Sequence, residues 1–176
     1  MSIVGNKYWE ENGDTIIEPF EPDHIQPNGI DLRLANKLID YNNLGKIDSK
    51  NKIPHGKTLT CQKNSGFVLK PHSFYLGTTY EEISIPPSYV GKVEGRSSVG
   101  RLGVTVHVTA GFIDTGFKGH VTLELANLSN NEVVVYPMQR VCQLVFEDCI
   151  CTDKLYNGKY QDQIMPQPSL INFDKD

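Results

Sequence analysis

Cysteine is scarce in this chain, at 4 of 176 residues. With a chain of core-forming size and no apolar leader, the thiols of Cys61, Cys142, Cys149 and Cys151 read as reduced, not as a disulfide framework. Cys149-Ile150-Cys151 has the wrong spacing for a C-x2-C zinc half-site, and no His/Cys pair sits at a suitable distance, so the cysteines read as core filler. Long apolar runs are missing as well: none approaches the ~18 residues a membrane-crossing helix needs. The opening segment carries Trp9, Glu10 and Glu11 where a secretory leader would need an apolar centre, and the chain reads as cytosolic. Positive charge is in deficit, with 17 Lys and Arg against 21 Asp and Glu for a net charge of -4. That argues against sequence-independent nucleic-acid binding but leaves a small anionic ligand open if cations gather locally. The Walker pattern, H-E-x-x-H and G-x-S-x-G are all absent, which weakens the P-loop, metalloprotease and serine hydrolase readings.

What is present is ordinary for a globular domain: 39 % hydrophobic and 22 % charged residues, with a mean hydropathy of -0.35. A single domain over 1–176 would bury about 70 % of the surface its unfolded chain exposes. Glycine (15) and proline (10) interrupt brief segments rich in Val, Ile, Thr, Tyr and Phe, which predicts an all-β fold of sandwich, barrel or jelly-roll type. The expected strands are 30–34, 66–69, 74–79, 82–85, 90–94, 105–108, 120–128, 132–136 and 140–146. Helix is expected only at 7–11 and 98–102, because no longer stretch sustains a 3.6-residue apolar period. The tail, 153–176, is poor in aliphatics and reads as a mobile or partner-docked arm.

Chemistry concentrates in two regions. Gly95-Arg96-Ser97-Ser98-Val99-Gly100-Arg101 gathers two guanidinium groups, two hydroxyls and the start of a helical turn, a combination suited to phosphate; a solvated turn would carry the same residues. Further on come two carboxylates. Strand alternation puts Val121, Leu123 and Leu125 on one face and Thr122, Glu124 and Ala126 on the other, so Glu124 either floors a groove or faces solvent. Asp114, among turn residues, reads as a turn former or a ligand, and His107, between Val106 and Val108, reads as a core or interface histidine.

These segments together carry a resemblance. Gly95-Arg-Ser-Ser-Val-Gly-Arg-Leu-Gly103, His107-Val-Thr-Ala-Gly-Phe-Ile-Asp-Thr-Gly-Phe117 and Thr122-Leu-Glu-Leu125 are similar to core motifs of the dCTP deaminase family. Ile25 to Leu34 resembles that family's N-terminal signature, and Gly158-Lys159-Tyr160-Gln161-x-Gln163 with Pro166-x-Pro168-Ser169 resembles its lid. The resemblance implies a distorted jelly-roll of the β-clip, dUTPase-like kind with short helices, assembled as a homotrimer with active sites between subunits and residues 153–176 as lid. It implies hydrolytic deamination of dCTP to dUTP and ammonia, with Glu124 as general acid/base, a role that partial burial of a carboxylate favours. Ser97 and Arg101 match residues near the reacting water. Arg96, Ser98, Asp114, Thr122, Leu123 and Gln143 match substrate contacts, and Tyr156, Lys159 and Gln163 match lid residues. Mg2+ is expected on the triphosphate, and dTTP as an inhibitor. Zinc is not expected, because the H-x-E and P-C-x-x-C halves of zinc nucleobase deaminases are both missing.

Gly111-Phe112 stands where strict deaminases of the family carry His-Arg, and matches members that continue to dUMP and pyrophosphate, supplying dUMP for thymidylate synthesis. A monofunctional dUTPase and a non-catalytic nucleotide sensor are the alternatives on this scaffold. Phe117 in place of tyrosine and the missing glycine-rich arm argue against the first, and retention of Glu124, Asp114 and both arginines against the second.

Overall fold

The computed structural model describes residues 2–62, 64–150 and 152–174. Helix α1 (Asn6–Ile16) buries Trp9, Gly13 and Ile16. Their spacing of four and three residues is that of one helical face, and Gly13 hides it from an apolar count, so the helix outruns the expected 7–11. The glycine is required because a Cβ there would stand 2.2 Å from the Phe20 ring. Trp9 packs on Phe146 with ring centroids 4.7 Å apart, fastening the helix to a sheet.

Among the described residues the strands pair antiparallel throughout. One sheet runs in the order β5 (Lys57–Thr60), β4 (Lys37–Asp40), β7 (Phe74–Ser84), β11 (Lys118–Asn127), β9 (Val104–Thr105), with β1 (Ile17–Glu18) also on β7. The other runs β10 (Phe112–Ile113), β8 (Tyr89–Gly95), β13 (Arg140–Asp148), β3 (Gly29–Arg33), β2 (Ile25–Gln26). A ribbon of β12 (Val133–Val135) and β6 (Phe67–Leu69) completes the set. Leu32, Leu34, Leu123, Leu125, Leu144 and Phe146 from these strands are at most 1 % exposed and form the centre of one core.

The β-rich class is as expected, and several boundaries are corrected. Segments 74–79 and 82–85 run together as one strand to Ser84, because the charge between them is buried with partners: Thr79 Oγ1 donates to the Glu81 carbonyl at 2.8 Å, and the Glu81 carboxylate accepts from Arg33 N and Nε at 2.9 and 2.6 Å. Segment 105–108 is strand only through Thr105, in β9 (Val104–Thr105); the Val106 carbonyl still accepts from Glu124 N at 2.9 Å, after which the chain leaves the sheet. Strands β1, β2, β4, β5 and β10 were not legible, being two to four residues long and partly polar. The arm is corrected too: it docks on its own chain. Tyr156 N donates to Thr115 O at 2.8 Å, Asp162 N to Lys118 O at 2.8 Å, and His120 N to Gln163 O at 2.9 Å. Main-chain groups make this strap together with the Gln161 side chain, which accepts from Lys118 N and donates to the Gly116 carbonyl, and the Gln163 side chain, which donates to the His120 carbonyl. Composition does not encode the main-chain part.

Cys61, Cys142 and Cys149 are free thiols, and burial pushes the Cys142 thiol well up. Cys151 lies outside the described residues.

Tyr136-Pro137-Met138-Gln139 forms a tight turn closed by Gln139 N donating to Tyr136 O at 3.1 Å, with Met138 at φ 66. That position favours glycine, so Met138→Gly is expected to raise stability by roughly 0.5–1 kcal/mol. The check is the urea midpoint of unfolding; an unchanged or lower midpoint contradicts the strain.

Candidate active site

The site is built on β11. A bulge between His120 and Thr122 breaks its register against β7, and the Thr79 hydroxyl accepts the freed Val121 N–H at 2.9 Å. Beyond the bulge, Leu123 and Leu125 point into the core while Thr122 and Glu124 face a cavity of about 470 Å³. Val121 lines that cavity as well, correcting the simple alternation that put it with Leu123. The volume lies in the range of small-molecule sites.

Glu124 is half-buried. Its Oε2 accepts from Val108 N at 2.7 Å and Thr109 N at 3.4 Å, so the loop that departs from β9 folds over the carboxylate and fixes it. Among the described residues Oε1 has no protein partner and is open to water or ligand. Asp114 and the half-exposed ring of Phe112 line the same cavity from β10 and the turn after it. Phe117 and Tyr156 meet edge-on there at 5.7 Å. At the far end, Tyr41 and Phe74 meet the arm through Tyr160, Gln167 and Ser169, and burial raises the Tyr41 phenol. Gln163 of the arm donates to the His120 carbonyl, and the Thr122 hydroxyl lies 3.4 Å from its Oε1.

Gly111 has a local reason to be glycine: a Cβ would lie 3.0 Å from Val93 O and 3.1 Å from the His107 ring. His107 is half-buried, and its Nδ1 has no hydrogen-bond partner among the described residues.

The structure therefore gathers Asp114, Thr122, Glu124, Tyr156, Gln163 and Phe112 around one cavity. Leu123 is fully buried, so only its main chain can meet a ligand. Arg96, Ser97, Ser98, Arg101 and Gln143 do not line the cavity. Gln143 sits on β13, the central strand of the other sheet, and residues 96–101 follow the end of β8, where Val99 anchors helix α2 (Ser97–Gly100) to the core and leaves Ser97, Ser98 and Arg101 exposed. Lys159 is off the cavity too: its Nζ is 2.5 Å from the Asp174 carboxylate, which raises the ammonium. Among the residues lining the cavity there is no lysine or arginine. Among the described residues no three His, Cys, Asp or Glu side chains cluster as metal ligands, and no helix is long and apolar enough to cross a membrane. Sequence reasoning missed Tyr41, Phe74 and Leu76, which carry no local motif; Tyr160 and Ser169 stood inside the lid motifs without being singled out.

A family model described as dCTP deaminase-like matches residues 6–149. The chain belongs to the dCTP deaminase family. It is 41 % identical over 192 residues to a protein of Methanosphaera stadtmanae named dCTP deaminase, dUMP-forming, an alignment covering 100 % of this chain and 97 % of that one. A protein of Coprothermobacter proteolyticus with the same name is 41 % identical over 167 residues, covering 90 % and 89 %. One of Halorubrum lacusprofundi, named dCTP deaminase, is 36 % identical over 182 residues, covering 92 % and 86 %. The crystal structure of the 2'-deoxycytidine 5'-triphosphate deaminase of Agrobacterium tumefaciens shares the fold, with a TM-score of 0.66 and 19 % identity over 82 % of this chain and 47 % of that chain.

Proposed function

We infer that this chain is a dCTP deaminase that carries its product on to dUMP. The observation that carries the reading is Glu124: a carboxylate on a cavity floor, anchored through one oxygen by two main-chain N–H groups with the other oxygen open, in a chain whose relatives are dUMP-forming deaminases.

In the first step water adds to C4 of cytosine. Glu124 Oε1 takes a proton from that water and delivers it to N3; it then takes the proton of the new C4 hydroxyl and passes it to the amino group, which leaves as ammonia as the C4 carbonyl forms, so dCTP and water give dUTP and ammonia. Because Oε2 is fixed by Val108 and Thr109, the acid needs no reorientation between the two transfers. Thr122 and the Leu123 main chain serve the base, and Gln143, which lies off this cavity, joins them from a second copy, with Ser97 and Arg101 beside the reacting water. In the second step Asp114 binds the deoxyribose and directs a second water to the α-phosphate, giving dUMP and pyrophosphate. Gly111 and Phe112 leave room for that water.

The triphosphate needs cations that this cavity lacks. Arg96, Ser97, Ser98 and Arg101 of a second copy supply them in a homotrimer whose sites lie between subunits. The arm, 153–176, is the lid: Tyr156 and Gln163 already line the cavity, and Lys159 exchanges Asp174 for phosphate. Mg2+ enters on the phosphate oxygens of the nucleotide and neutralises charge there. dTTP presents the same sugar and phosphates with a base that cannot be deaminated, and competes.

Incubation with dCTP and Mg2+, with nucleotides resolved over time, tests the reading. Loss of dCTP is expected to be matched by dUMP and pyrophosphate with little free dUTP. Accumulating dUTP contradicts the second step, and unchanged dCTP contradicts deamination.

A further inference from the structure

Strand β3 carries an acid where its neighbours are core. Ile30 and Leu32 are at most 1 % exposed, and Asp31 between them is 2 % exposed. Its Oδ2 lies 3.2 Å from Arg96 Nε and 3.4 Å from Arg140 Nη1, and its Oδ1 accepts a long 3.5 Å contact from Gln143 Nε2 on the directly paired strand. A bulge between Arg140 and Cys142 interrupts β13 beside this carboxylate. Arg96 is held a second time, since its Nη1 donates to the Arg140 carbonyl at 3.2 Å. Nη1 is thus hydrogen-bonded within the chain and Nε is held by the charge of Asp31, whose Oδ2 accepts no hydrogen bond among the described residues, and Nη2 is in neither contact.

A carboxylate removed from water is costly unless paired, and replacing such a pair with apolar residues often leaves stability unharmed. Stability alone therefore gives little reason for Asp31. The residue it fixes stands one position before Ser97, in the segment assigned to the triphosphate. We propose that Asp31 is a positioning residue for nucleotide binding: it sets the Arg96 guanidinium in advance, so that no side-chain freedom is lost when phosphate arrives at the remaining nitrogen. The inference rests on the phosphate role of Arg96 given above.

The test compares dCTP steady-state kinetics of the assembled full-length enzyme with Asp31→Asn, Arg96→Lys, Arg96→Ala and the Asp31→Asn/Arg96→Lys double variant. Asp31→Asn is expected to raise KM about tenfold with kcat within about twofold, the effect of leaving a phosphate-binding guanidinium without its buried ion-pair partner. Arg96→Lys, whose single nitrogen cannot hold Asp31 and the carbonyl while reaching phosphate, is expected to raise KM similarly. The double variant is expected to be little worse than either single one. A wild-type KM for Asp31→Asn, with only kcat or melting temperature lowered, overturns the proposal in favour of a structural role. Should Asp31→Asn fail to fold, Arg96→Lys decides: a KM near that of Arg96→Ala supports the two-point hold, and a wild-type KM overturns it. An unchanged KM for Arg96→Ala fails the phosphate reading itself, whereas a raised KM there with wild-type values for the other two fails this inference alone.

Discussion

Glu124→Gln is expected to lower the rate of dCTP deamination by about 1,000-fold while leaving dCTP affinity within a few-fold. The amide keeps the size of the carboxylate and can still accept from Val108 N and Thr109 N through its oxygen, so the loop over it stays in place. What it loses is the capacity to take a proton from water and hand it back, which no other carboxylate lining the cavity is placed on β11 to do; Asp114 stands on the turn after β10. The loss should therefore fall on kcat. Rates are to be read by ammonia release, with affinity by calorimetry on the same preparation. Turnover near the wild-type rate would remove Glu124 from the proton transfers, and a loss of affinity with kcat preserved would make it a binding group only. Hydrolysis of added dUTP by the same variant is expected to survive in large part, because that step is assigned to Asp114.

Much of this site was legible as residue chemistry and little of it as place. The alternation from Leu123 to Leu125 reads directly off the sequence and puts Glu124 on the face opposite the core, because period two is a local property of a strand. Val121 does not follow it, since the bulge depends on Thr79, 42 residues away in sequence. Glycine at 111 was noticed for what surrounds it in relatives, whereas its cause here is the His107 ring and the Val93 carbonyl, a packing fact. Asp31 stands in sequence only as a member of the expected strand 30–34 and of the 25–34 segment that resembles the family's N-terminal signature; its pairing with Arg96 and Arg140 needs three separate strands or strand ends to meet. The arm is poor in aliphatics, and its docking rests on main-chain hydrogen bonds, which no side-chain pattern announces, and on Gln161 and Gln163, which stand in the lid motif but whose partners in 116–120 lie 43 to 45 residues away.

The separation of Glu124 from the arginines was also invisible in sequence, and it carries the second large effect. Arg101 is exposed and off the cavity, yet Arg101→Ala is expected to reduce kcat/KM for dCTP by about 100-fold, as loss of a guanidinium beside developing and phosphate charge does. In a single chain that effect has no explanation, because Glu124 and Arg101 line no common cavity. It follows if the cation arrives on a neighbouring copy. A trimer holding one Glu124→Gln chain and one Arg101→Ala chain then contains a site with both residues intact.

Co-expression of Glu124→Gln and Arg101→Ala chains under two different tags, followed by purification of oligomers carrying both, puts this to the most direct test. In a mixed trimer one site of the three receives wild-type Glu124 from one chain and wild-type Arg101 from the next, so roughly a third of wild-type dCTP turnover is expected. Mixed oligomers no more active than the average of the two parent variants would contradict a site shared between copies.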